Sequence, residues 1–143
     1  MKRQLKYWID FDTFQDSKPA QLSGSNIIGI LPGKYWSTKK DRPIIIGAHW
    51  DTVLNSTGFN DNGSGVAILL EVARVLGGAT ECFQPDYTLF FVAIDSEEDG
   101  SYGSQEFLHK IIVPYYIKQG VGIQVSNNVD RQTQTIVGST ITI

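Results

Sequence analysis

Apolar residues in this chain fall into short runs, and each run ends at a turn-forming pair. The first is Asn26-Ile27-Ile28-Gly29-Ile30-Leu31, stopped by Pro32-Gly33. That pattern predicts a strand followed by a turn. Pro43-Ile44-Ile45-Ile46-Gly47-Ala48 is apolar without alternation, as expected of a strand buried on both faces. Between them, Lys39-Lys40-Asp41-Arg42 reads as a solvated turn. After a loop from Thr52 to Asn62 the period changes. Val66, Leu69, Leu70, Ala73 and Leu76 share one helical stripe, with Glu71 and Arg74 turned away. Gly77-Gly78 ends that helix. Tyr87 to Ile94 is a second strand of the buried type, and Gly103 to Lys118 reads as a second helix that Pro114 should kink or split. The β-branched stretches Val121–Val125 and Thr135–Ile143 read as strands. Residues 1–25 are polar and mixed, with Lys18-Pro19 and Ser23-Gly24-Ser25 as breakers, so a loop or ragged lead-in is expected there.

Strand, helix, strand, helix, strand is the order of an α/β sheet with helices on its faces. In such sheets, sites form beyond the carboxyl ends of the strands. Three polar clusters occupy those places. Gly47-Ala48-His49-Trp50-Asp51 follows the second strand, and Asn60-Asp61-Asn62-Gly63-Ser64-Gly65 precedes the first helix. Asp95-Ser96-Glu97-Glu98-Asp99-Gly100 follows the third strand.

Composition narrows the field. The 143 residues make one domain or part of a larger one, and 41% hydrophobic content suffices for a core. A net charge of −3 without a basic patch argues against nucleic acid. A single cysteine, Cys82, excludes an internal disulfide. No apolar run approaches the roughly 18 residues of a membrane span, and Met1 to Trp8 does not read as a signal peptide. Asn55-Ser56-Thr57 is a glycosylation sequon that matters only in a secreted protein.

Each cluster has a plain reading and a chemical one. His49 and Asp51 point the same way from a strand end, and a metal-bound imidazole commonly gives its other N–H to a carboxylate. A lone histidine after a strand is more often structural. Asp61 suits a helix start, where the dipole welcomes an anion, and it equally suits a carboxylate shared between two metals. Gly63 and Gly65 would let the chain pass close to such a site. Glu97 and Glu98 diverge as neighbours, so one can ligate a metal while the other takes a proton from water. Alone, the same pair is an acidic turn.

Taken in order, these segments resemble the co-catalytic zinc aminopeptidases, a superfamily that also holds glutaminyl cyclases and transferrin-receptor-like proteins. The resemblance covers roughly residues 24–125, from Asn26-Ile27-Ile28-Gly29 to Gly103-Ser104-Gln105-Glu106-Phe107. It implies a mixed, mostly parallel sheet with helices on both faces, residues 26–143 being an incomplete α/β core. It implies two zinc ions in the complete site. His49 would ligate one, Asp61 would bridge, Glu98 would ligate the other, Asp51 would support His49, and Glu97 would be the general base. The substrate would be a peptide with a free N-terminus.

A further family aspartate lies some 25–35 residues after the glutamate pair. Asp130, 32 residues after Glu98, is the candidate, and its plain reading is a loop aspartate. The family's last histidine ligand lies beyond residue 143. His109, the other histidine, reads as a helix-surface residue. The chain is therefore expected to be the first half of a catalytic domain, with uncovered apolar faces, weak zinc binding and little activity alone. The other readings are a glutaminyl cyclase-like acyltransferase, with one zinc, and an inactive fragment acting as a binding module. The resemblance suggests an extracellular or secretory location, while oligomeric state and side-chain preference stay open.

Overall fold

A computed structural model describes residues 8–15, 23–80, 82–120, 124–129 and 136–142. Its strands are β1 (Trp8–Gln15), β2 (Ser23–Leu31), β3 (Ile44–His49), β4 (Leu89–Ile94), β5 (Gln124–Val129) and β6 (Ile136–Thr142). Its helices are α1 (Ser64–Gly78), α2 (Tyr102–Phe107) and α3 (Val113–Lys118), the last two joined by a wide turn at Leu108–Ile112. The main sheet has the order β1-β2-β4-β3, and β5 and β6 pair separately.

The sheet is mixed, as expected, but it is not mostly parallel. β3 runs parallel to β4, with His49 opposite Ile94, while β1–β2 and β2–β4 are antiparallel. The parallel pair follows from the crossover through α1, which returns the chain in the same direction. Residues 8–15 form an edge strand rather than the expected loop. Ile9-Asp10-Phe11-Asp12-Thr13 carries the period-two signal for it, in a stretch otherwise dominated by charge.

β4 is the buried centre, and its alternation feeds two cores. Phe90 and Val92 pack with Ile28, Phe107, Ile112 and Tyr116 on one face. Leu89 and Phe91 pack with Leu31, Ala48 and Leu69 on the other, against Val66, Val72, Ala73 and Leu76 of α1. Helices thus cover both faces. Two expectations about burial need correction. β3 is an edge strand, so Ile44 and Ile45 are 49% and 43% exposed. On α1, Leu70 faces outward and Val72 takes the inner place, because the buried stripe is centred on Leu69.

Asp41 also departs from the solvated turn expected of it. It is fully buried and accepts the Thr88 N–H (3.0 Å), the Thr88 hydroxyl (2.6 Å) and the Tyr115 hydroxyl. It therefore ties the approach to β3 to the start of β4 and to α3. The second helix does change character at its proline. The wide turn ends at Ile112, just before Val113-Pro114 opens α3, where a ring nitrogen has no proton to donate. No helix among the described residues is long and apolar enough to cross a membrane.

Candidate metal centre

β3 delivers His49 at its carboxyl end, and the Trp50 N–H to Ile94 carbonyl bond (2.9 Å) extends the ladder one residue further. The imidazole is largely enclosed, its side chain 12% exposed. Its Nδ1 lies 3.2 Å from the Asp51 carbonyl oxygen. A carbonyl only accepts, so Nδ1 carries the proton and Nε2 points into the site. There it meets Asp61 Oδ1 at 3.1 Å, with Glu97 Oε2 at 3.9 Å.

Asp51 stands behind this ring and performs a second task. Its Oδ1 is 3.4 Å from His49 Nδ1, and its Oδ2 accepts the Glu98 N–H at 3.0 Å. One carboxylate thereby links the end of β3 to the loop after β4. Its Oδ1 is buried and has no hydrogen-bond partner, which leaves its charge directed at the imidazole.

Asp61 reaches His49 from the turn before α1, where its own backbone is non-helical at φ −114°, ψ 96°. The helix-start role considered for Asp61 belongs to its neighbour. Asn62 Oδ1 accepts the Gly65 N–H at 3.1 Å, and a Cβ on Gly65 would fall 2.2 Å from that oxygen. Gly65 is thus required for the cap, and the cap frees Asp61 to face the histidine. The sequence signal for Asn62 was an ordinary one, an Asx residue three before a helical N–H.

His49, Asp61 and Glu98 each bring a ligand atom to within 4.8 Å of the other two. Charge in the cluster shifts the balance of protonation. At His49, burial favours the neutral ring, but the Glu97, Asp51 and Asp61 carboxylates outweigh it and the pKa rises. At Glu98, partial desolvation and then repulsion from Asp61 and Glu97 push the pKa up, against the pull of His49. Among the described residues, His49 Nε2 faces the Asp61 and Glu97 carboxylate oxygens, an arrangement that suits a cation. One imidazole and two carboxylates fit zinc, and three protein donors match the usual catalytic number. Asp130 lies outside the described residues, and His109 is exposed on the wide turn.

Comparison with known proteins identifies the family. The model of peptidase family M28 matches residues 26–131. The chain belongs to peptidase family M28. Aminopeptidase YwaD of Bacillus subtilis (strain 168) is 38% identical over 86 residues, 60% of this chain and 18% of the relative. Among solved structures, an aminopeptidase from Aneurinibacillus sp. strain AM-1 superposes with a TM-score of 0.56 at 32% identity. It covers 68% of this chain and 23% of its own. A glutaminyl cyclase from an Acidobacteriales bacterium superposes with a TM-score of 0.60 at 28% identity, covering 78% and 40%. This M28 chain thus spans about a fifth of the length of the aminopeptidases it matches.

Proposed function

We propose that the chain carries the catalytic face of a zinc-dependent exopeptidase, an aminopeptidase that releases residues from the free N-terminus of a peptide. The observation that carries the reading is the convergence of His49, Asp61 and Glu98 within 4.8 Å, with Glu97 beside them. His49, Asp61 and Glu98 would hold the metal, and in a two-ion site Asp61 would be the shared carboxylate. Asp130 would add a donor to the ion that His49 binds. Zinc held there would supply a water of pKa about 7 and a Lewis acid for the scissile carbonyl. Glu97, half-exposed with its Oε2 3.9 Å from His49 Nε2, would accept the water's proton and pass it to the leaving amine. The Asp51 backbone carbonyl fixes the imidazole tautomer, and its carboxylate lies behind the ring and seats the Glu98 backbone.

The 143 residues alone, spanning about a fifth of the length of the aminopeptidases they match, are expected to bind zinc weakly and to turn over little substrate. The test uses the full-length protein on aminoacyl substrates. Glu97→Gln is expected to keep its zinc and to lose about 10²–10⁴ of turnover, the usual contribution of a general base. Unchanged turnover rejects the role of Glu97. A second reading, an acyltransferase that cyclises N-terminal glutamine, is favoured by the likeness to the glutaminyl cyclase. Released amino acid against cyclised product separates the two in the same assay.

A further inference from the structure

We propose that Asn26 is a positioning residue, whose buried carboxamide sets the loop that presents Glu97 and Glu98. The proposal rests on the reading above for what those glutamates do, but not for where the loop stands.

Asn26 lies in β2 on the same face as Ile28, is wholly buried, and sits where an apolar side chain would serve the core as well. A polar group there is costly unless bonded. Its Oδ1 accepts the Asp95 N–H at 3.0 Å, and its Nδ2 donates to the Gly103 carbonyl at 2.8 Å. Asp95 opens the loop that follows β4, and Gly103 lies in the first turn of α2, just past the loop's other end. The side chain therefore grips both ends at once, across 69 and 77 residues of sequence.

The neck is closed further from within. The Gly103 N–H donates to the Asp95 carbonyl (3.2 Å), and Asp95 Oδ2 accepts the Ser25 N–H (2.8 Å). A Cβ on Gly103 would fall 2.2 Å from the Asp95 carbonyl oxygen and 2.6 Å from Asn26 Oδ1. No other residue type fits there without opening the neck. The loop also needs outside support, because Ser96 and Ser101 have φ of 54° and 59°, a region that costs an L-residue energy. Inside the loop, the Glu97 carbonyl accepts the Gly100 and Ser101 N–H groups, so the turn carrying Glu97 is built directly on this neck. One donor and one acceptor are required at position 26, which asparagine supplies and aspartate or leucine does not.

The test is amide hydrogen exchange of the metal-free chain, with zinc affinity measured alongside. In the native chain the Asp95 N–H should exchange as slowly as amides of β4. Asn26→Leu keeps the bulk and removes both bonds. It is expected to speed exchange at residues 95–103 at least tenfold while leaving α1 unchanged, and to weaken zinc binding about tenfold. Ile28→Val, a core control in the same strand, should raise exchange evenly and leave zinc affinity alone. Uniform acceleration in Asn26→Leu overturns the proposal. If that variant does not fold, rapid exchange of the native Asp95 N–H overturns it, and slow exchange supports it. Failure of the native chain to take zinc rejects the metal reading, and exchange still decides the role of Asn26.

Discussion

At the residue scale, the site turns on what each carboxylate is left to do after its local bonds are made. Asp51 is the sharpest case. Its Oδ2 is committed to the Glu98 N–H, and its buried Oδ1 lies 3.4 Å from the His49 ring with no hydrogen-bond partner among the described residues. Asp51→Asn keeps an oxygen for the Glu98 N–H and removes the charge behind the imidazole. It should fold normally and bind zinc about 10–100-fold more weakly, the usual effect of losing such a support. Competition against a chelator of known affinity reads this, and an unchanged constant contradicts it. His49, Asp61, Glu97 and Glu98 were legible in the sequence because charged residues beyond apolar strands are conspicuous. Asn26 and Asn62 were not. An asparagine reads as a turn former, and only the fold shows which N–H and carbonyl groups it meets. Protons and metal also compete at this site. The carboxylates raise the His49 pKa, so the ring holds its proton to higher pH and zinc binding weakens as pH falls.

At the element scale, α3 is joined to the sheet through Tyr115. Its ring packs against Trp36 at 5.1 Å and edge-on to Phe90 at 5.9 Å, while its hydroxyl donates to Asp41. Burial, then the bond to the Asp41 carboxylate, raises the Tyr115 pKa, and burial raises that of Tyr116. A raised value means the folded state holds the proton more tightly. The stabilisation is complete below the ordinary phenol value of about 10 and is lost as pH rises through the folded value. The melting temperature should therefore hold steady from pH 7 to 9 and fall above about pH 10. Tyr115→Phe should lower stability at pH 7 by about 1.5–3 kcal/mol, the range for a hydrogen bond to a charged group, and make the alkaline decline shallower. An alkaline limb unaltered by that change contradicts the assignment. Strands and helices in the middle of the chain were legible from period and breakers. β1 was hidden because its alternation is short and flanked by charge. The edge position of β3 was hidden because an all-apolar run reports burial only when neighbours lie on both sides.

At the scale of the whole molecule, one side of the sheet is finished and the other is open. The β2–β4 centre and its two helical covers form closed cores. Beyond them, Ile44 and Ile45 of β3 and Ile68 and Leu70 of α1 are exposed, and Leu54 and Phe59 stand out on the loop between His49 and Asp61. Family membership and the convergence of His49, Asp61 and Glu98 make metal binding the property to measure. The most direct test is a calorimetric zinc titration of the purified 143-residue chain beside His49→Ala. The account predicts weak binding of zinc by the native chain, with protons released, and no such binding by the variant. Zinc uptake that His49→Ala leaves unchanged, or no uptake by the native chain at all, would contradict it.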